Sequence, residues 1–263
     1  MDCPICNAAL EIVFSTKVMR KYDADFEHCP QCGFLRAHNP HWLEEAYSSA
    51  IADADTGLIR RNISIAAKVA GILYFVVDTK QSQNIYLDAA GGYGTLTRMM
   101  RDIGFNFFWS DKYCENILAK GFEYQREMGN CYAVTAMEVM EHLVDPVSFV
   151  EEAIASVNAD LFIFTTELYS GGPPQPDKWW YYAFPTGQHI GFFQQRTLEA
   201  IAHRLGLYVI SANGIHAFSR QPLSWWKFAF ATHPIWSRIL VPFISRSIGS
   251  LTTPDHQKLI GTI

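Results

Sequence analysis

The sequence has no excess of positive charge. Lys and Arg number 21 against 26 Asp and Glu, giving a net charge of −5. A general nucleic-acid binder carries a basic face, so this balance counts against nucleic acid as the main partner. A long apolar run is also missing. The best candidate, Ile63 to Val77, is broken by Lys68 and falls short of the ~18–20 residues that a spanning helix needs. The opening MDCPICNAAL has no basic stretch leading into an apolar one, so no signal peptide is read and a cytoplasmic location is expected. Charged residues are only 18% of the chain and apolar ones 49%. That excludes a disordered protein and suffices for a substantial core. Cysteine is scarce, with six in all. In a reducing compartment, closely spaced cysteine pairs read as metal ligands before disulfides.

Four of the six cysteines are so spaced. Cys3-Pro-Ile-Cys6 and Cys29-Pro-Gln-Cys32-Gly33 frame 22 residues, about the length of a small hairpin. Two thiolates at this spacing can hold a tetrahedral ion from one tight turn, and Gly33 permits the twist behind the second pair. Residues 1–39 are therefore expected to form a structural zinc ribbon, closed to chemistry at its metal. A redox pair would sit at a helix start in a βαβ unit, and neither pair does. Cys114 and Cys131 are isolated and read as small buried hydrophobes.

From about residue 40 the pattern becomes helical, with one helix over His41 to Tyr47, a turn at 53–57 and a second helix over Leu58 to Val77. Then comes NIYLDAAGGYGTLTRMMRDIGF, residues 84–105. A short buried strand, Ile85 to Leu87, ends at Asp88, passes through a glycine-rich turn and enters a helix near Thr95. Such a turn aims backbone N–H groups and a helix N-terminus at a ligand. A second strand, Phe107 to Ser110, ends at Asp111, placed to accept from ribose hydroxyls. A dinucleotide site wants a third glycine, and here Thr97 stands in its place. The Asp88 carboxylate would repel a pyrophosphate but suits a cofactor with a cationic amino-acid tail. Further on, AMEVMEH sets Glu138, Glu141 and His142 at relative positions 0, 3 and 4. On a helical turn these share one face. Such a group suits a metal ion or acid–base work; the bland alternative is a solvated helix start, with Asp145-Pro146 opening the next helix.

Asp88-Ala-Ala-Gly91-Gly92-Tyr-Gly94 resembles the first motif of the class I S-adenosylmethionine-dependent methyltransferases, D-x-G-x-G-x-G, with Ala90 where the family usually has its first glycine. The resemblance runs over about residues 58–220. It takes in Asp111, a fourth strand over Tyr132 to Met137 with the E-x-x-E-H that follows, a fifth over Ala159 to Thr166, and a hairpin from Leu207 to Ala212 and Ile215 to Ser219. It implies an α/β fold: a Rossmann-like, seven-stranded sheet ending in an antiparallel hairpin. It also implies methyl transfer, with Asp88, Ala90, Gly91, Gly92, Gly94 and Met137 around the donor and Asp111 on its ribose. The E-x-x-E-H segment is similar to one in ubiquinone-pathway O-methyltransferases and in small-RNA 2′-O-methyltransferases, where it binds a divalent ion that holds acceptor hydroxyls. The RNA enzymes add a later histidine before an aromatic run, and Gly187-Gln-His189-Ile-Gly-Phe-Phe193 is the counterpart here. By that resemblance Glu138, Glu141, His142 and His189 would hold Mg2+ or another divalent ion; without a metal, His142 or His189 would serve as general base.

Residues 171–182, GGPPQPDKWWYY, read as a lid over the strand ends, with Trp179, Trp180, Tyr181 and Tyr182 as candidates to stack on an acceptor or to pack the loop down. A hydroxyl-bearing small molecule or a sugar fits such a lid. The chain is also similar to bacterial methyltransferases that accompany surface-glycan biosynthesis, which implies a glycan precursor as acceptor. Residues 40–221 are then the catalytic domain and 222–263 an aromatic helical extension. That extension reads either as a cap on the domain's own sheet or as a peripheral contact with a membrane surface or protein. Three functions compete: methyl transfer to oxygen, with RNA 2′-hydroxyls as the variant; a non-catalytic methyltransferase-like binding module; and a nicotinamide-dependent oxidoreductase, against which the absent third glycine counts.

Overall fold

A computed structural model describes residues 2–47, 56–77 and 84–261. Residues 53–55 of the expected turn lie outside the described residues. The chain opens with a hairpin, β1 (Glu11–Val18) and β2 (Tyr22–His28), paired antiparallel. Met19 and Arg20 at its tip both have positive φ, +54° and +58°, the conformation whose twist matches paired strands. β3 (Leu35–Ala37) follows, then a single helical turn α1 (Leu43–Ala46) and the long α2 (Leu58–Gly71), which continues as a π turn over Ile72–Val76.

The larger sheet then builds up in alternation: β4 (Tyr86–Ala89), α3 (Thr95–Ile103), β5 (Phe107–Ser110), β6 (Ala133–Ala136), α4 (Pro146–Ser156) and β7 (Leu161–Phe164). After the lid come β8 (Gly191–Phe192), α5 (Gln195–Leu205), the hairpin β9 (Tyr208–Ala212) and β10 (Ile215–Ser219), and the closing helices α6 (Trp225–Ala231), α7 (Trp236–Ile248) and α8 (Thr252–Leu259). The strand order is β5-β4-β6-β7-β10-β9. The first four strands are parallel, and β10 runs antiparallel to both β7 and β9.

This is the expected Rossmann-like sheet with a terminal hairpin, but it has six strands among the described residues, not seven. Outside β5, where the seventh would stand, Trp109 makes one parallel bridge to Glu123. The Trp109 N–H donates to the Phe122 carbonyl and the Tyr124 N–H to the Trp109 carbonyl, both at 2.8 Å. Beside that bridge the Glu123 carboxylate accepts from Asn116 Nδ2 at 2.7 Å and from the Gly121 N–H. Both faces of the sheet are covered, so its central strands β6 and β7 are buried at every residue. Alternate residues serve opposite cores: Val134, Ala136, Phe162, Phe164 and Phe218 face α4 and α5, while Ala133, Leu161, Ile163 and Ala217 face α2, α3 and α7.

The N-terminal hairpin is not hung on a tether. β8 pairs with β3, Leu35 opposite Phe192 and Arg36 opposite Gly191, so the small sheet β1-β2-β3-β8 takes its last strand from the far side of the lid. Phe26, Leu35 and Trp42 share one core with Tyr181, Tyr182, Ile190 and Phe192. Among the described residues no helix is long and apolar enough to cross a membrane.

Candidate active site

The donor-side residues converge at the carboxyl ends of β4, β5 and β6, where open α/β sheets bind ligands. Asp88 is buried. Its two carboxylate oxygens accept from the hydroxyls of Thr135 (2.8 Å) and Thr97 (3.0 Å). Burial pushes its pKa up to about 6, against the pull of those hydroxyls. Ala90 has φ +54°, so the alanine keeps the left-handed conformation that glycine adopts without cost. Gly91 admits no side chain: a Cβ there would meet Trp109 at 2.7 Å and Asp88 at 2.9 Å. A Cβ on Gly92 would meet nothing within 4 Å. The Gly94 N–H closes the turn on the Gly91 carbonyl at 2.9 Å, and α3 starts directly after it.

Asp111 sits where expected after β5, but its carboxylate also holds the loops. One oxygen accepts from the Gly92 N–H (2.9 Å), the other from the Tyr113 and Cys114 N–H groups (2.7 and 2.8 Å). Trp109, which sequence reasoning missed, secures the same turn by donating from Nε1 to the Gly92 carbonyl at 2.8 Å. Met137 is half-buried just beyond β6, packed against the α2–α3 side.

The expected shared helical face of Glu138, Glu141 and His142 does not form. Only Met140–His142 make a helical turn, of the 3-10 kind. Glu138 precedes it with φ +56°. Thr165, just past β7, imposes that twist: its hydroxyl accepts the Glu138 N–H at 2.8 Å and donates to the Glu138 carboxylate at 2.7 Å. The other Glu138 oxygen lies 3.6 Å from Arg61 Nε. Glu138 is thus held outside the group whose ligand atoms meet, although its charge still reaches Glu141, His142 and His189.

Glu141, His142 and His189 do come together, with one ligand atom from each within 4.8 Å of the others. Each histidine is oriented from behind. His142 Nδ1 donates to the Gln188 carbonyl (3.0 Å) and His189 Nδ1 to the Tyr181 carbonyl (2.6 Å). That leaves both Nε2 lone pairs for a ligand. The rings sit 4.9 Å apart at 78°. Burial lowers the pKa of both, so both are neutral at neutral pH. Glu141 is fully buried. One of its oxygens accepts from the Tyr181 hydroxyl at 2.8 Å, and the other, Oε2, has no hydrogen-bond partner. Burial first, and then the charge of Glu138, push its pKa up to about 7. A buried carboxylate oxygen with no donor is costly. Two neutral imidazoles and an orphaned oxygen form the donor set a divalent cation takes, so the trio fits a metal ion.

The lid aromatics divide. Trp180 is 77% exposed. Tyr182 and Trp179 pack with Phe192 in the ribbon-side core and, with Trp180, also border a shallow pocket on the lid. Tyr181 is buried, and its hydroxyl serves Glu141. Tyr47, at 6.0 Å from the His142 ring, also borders the site. No signal in the sequence marks it.

The four cysteines of the ribbon form a second cluster, all Sγ atoms within 4.8 Å of one another. Cys3 and Cys32 are 3.6 Å apart, Cys6 and Cys29 3.5 Å. A tetrahedron of ~2.3 Å zinc–sulfur bonds has edges of ~3.8 Å, so the cluster is compatible with zinc.

A Rossmann-like sheet, a glycine turn behind a buried carboxylate and an antiparallel closing hairpin define a transferase of the class I S-adenosylmethionine-dependent kind. A family model described as a methyltransferase domain matches residues 60–212, more than half of the 263 residues, and the chain belongs to that family. No curated protein matches the chain. Similar solved structures include magnesium protoporphyrin IX methyltransferase from Synechocystis PCC 6803, at 14% identity and TM-score 0.43 over 69% of this chain and 94% of that one. Mitomycin 7-O-methyltransferase aligns at 13% identity and TM-score 0.44 over 67% and 59%. A small RNA methyltransferase aligns at 15% and 0.41 over 62% and 27%. The chain therefore spans less than two thirds of the length of the last two.

Proposed function

We propose that the protein transfers the methyl group of S-adenosylmethionine to a hydroxyl of a small molecule or sugar, such as a glycan precursor, and that Glu141, His142 and His189 hold a divalent ion beside that hydroxyl. The observation that carries the reading is the unpartnered Oε2 of Glu141 facing two imidazoles whose Nδ1 protons are committed elsewhere. A bound ion would lower the pKa of an acceptor hydroxyl and orient it. The chain's own residues do the rest. Asp88, ionised above about pH 6, faces the cationic amino-acid tail of the donor, and the 90–94 turn lets the backbone approach it. Asp111 holds that turn and has oxygen capacity left for the ribose. The Gln188 and Tyr181 carbonyls fix the histidine tautomers, so that either Nε2 can take the acceptor proton when no ion is bound. Trp180 offers the exposed ring for a sugar face.

A net charge of −5 supports a small or glycan acceptor over nucleic acid. We read the four-cysteine cluster as a structural zinc site, which fits a reducing, cytoplasmic compartment. The test is incubation with deuteromethyl S-adenosylmethionine and cell extract, with and without chelator, sorting label among small-molecule, glycan, RNA and protein fractions. Label in the small-molecule or glycan fraction, lost with chelator, is expected. Label in RNA alone would overturn the acceptor assignment, and chelator-insensitive transfer would overturn the metal.

A further inference from the structure

Two of the closing helices, α6 and α7, carry exposed apolar residues outside the face they bury. On α7, Ser237 and Ile244 are buried against the domain, and Leu240 and Val241 are half-buried beside them. A neighbouring stripe, roughly a third of a turn round the helix, carries Trp236, Ile239 and Phe243, spaced i, i+3, i+7 and 47–58% exposed. α6 repeats the pattern: Phe228 and Ala231 face in, while Trp226 (79% exposed) and Phe230 face out. The two outer faces join where Phe230 stacks on Trp236, centroids 6.2 Å apart. The inner faces make these helices the cap that the sequence allowed. A contiguous exposed apolar face marks a site of interaction.

Charge selects the occupant. Residues 222–254 contain Lys227, Arg238 and Arg246 and no Asp or Glu, in a chain whose net charge is −5. All three cations are exposed. A second copy joined through this face by a twofold axis would bring three cations against three. An anionic lipid surface instead offers headgroup charge to Lys and Arg and an interfacial layer to tryptophan. With 13 residues, α7 is only ~20 Å long, so it would lie in the surface without crossing it.

We propose that the outer face of α6 and α7 docks this protein peripherally on anionic membranes. The test is vesicle flotation of the full chain, with phosphatidylcholine vesicles with and without phosphatidylglycerol, read also by tryptophan emission. Flotation and a blue shift are expected only with phosphatidylglycerol. Raising salt from about 0.1 M to about 0.5 M should cut the bound fraction by about fivefold or more. The Trp226→Ser/Trp236→Ser and Lys227→Glu/Arg238→Glu variants change exposed side chains only, and each should lose flotation with an unaltered circular dichroism spectrum. No flotation of the wild type, or flotation of both variants at the wild-type level, overturns the proposal. So does a wild-type dimer by light scattering that the tryptophan substitutions dissociate, which would assign the face to a second copy.

Discussion

The single residues that matter most are held at a cost. Asp88 is buried with only two hydroxyl donors, and its pKa rises from 3.8 to about 6. The folded-state pKa is the higher one, so this carboxyl favours folding below about pH 4 and loses that contribution as pH rises through 6, on the order of 3 kcal/mol. On the proposed function, the ammonium tail of the methyl donor would offset the loss. Two outcomes follow from that sign. Donor affinity should weaken about tenfold per pH unit below pH 6, measured by calorimetry. Asp88→Asn should weaken it on the order of 30-fold at pH 7.5 without lowering the melting temperature of the donor-free protein. A fall in melting temperature would mean that Asp88 is there for the fold. Tyr181 sits at the other end of the site, where its hydroxyl donates to Glu141 and its carbonyl orients His189. Tyr181→Phe removes only the first of these. It should reduce divalent-ion affinity and kcat roughly 10- to 100-fold with donor affinity unchanged; a loss of donor affinity as well would place Tyr181 elsewhere in the mechanism.

At the scale of elements, what the sequence made legible was what a local pattern encodes. The glycine turn behind Asp88 announces itself through composition and spacing, and the strands LFIF and AVTA and the 207–219 hairpin through their resemblance to the family's pattern. What stayed hidden depends on contacts distant in sequence. AMEVMEH reads as a helical turn, yet Thr165, 27 residues on, holds Glu138 at φ +56°. The seventh strand is reduced to a bridge between Trp109 and Glu123, a pairing that no local pattern marks. Four aromatics in a row look equivalent until the ribbon claims Trp179 and Tyr182. The last helix illustrates the same dependence. Asp255 on α8 pairs bidentately with Arg101 on α3 at 2.6 and 2.7 Å, both side chains buried, and the guanidinium lies 3.9 Å over Phe122. Asp255→Asn would leave Arg101 charged and unpaired. It should destabilise the protein by about 3–5 kcal/mol, measured by urea unfolding, and should release α8 to proteolysis first. A change below about 1 kcal/mol would mean that α8 is only loosely docked.

On the scale of the whole molecule, the candidate metal trio lies at a seam between two sheets. Glu141 and His142 come from the loop after β6, whereas His189 sits immediately before β8, the strand that completes the ribbon's sheet. The seam is stitched on both sides of His189. Ile190 accepts the Ala37 N–H at 2.9 Å and donates its own N–H to the Glu141 carbonyl at 2.8 Å, and Trp42 Nε1 donates to the Gly187 carbonyl at 2.9 Å. Farther out, Thr197 on α5 donates to the Cys32 carbonyl, and Arg196 to those of Pro30 and Gln31. The cysteine knuckles thus set where β3 lies, β3 sets β8, and β8 sets His189. The proposed donor site draws on β4, β5 and β6 and makes no use of this chain of contacts. The ribbon is on this reading the scaffold of the acceptor half of the site, with no need of a partner of its own. Cys29→Ser should therefore separate the two halves. Bound zinc, measured by elemental analysis, and methyl transfer should both fall by about tenfold or more, while donor affinity by calorimetry stays within about twofold of wild type because its residues stand on the other sheet. Full activity without zinc would show that the ribbon is a separate module, and joint loss of donor binding would show that the two sheets fold as one.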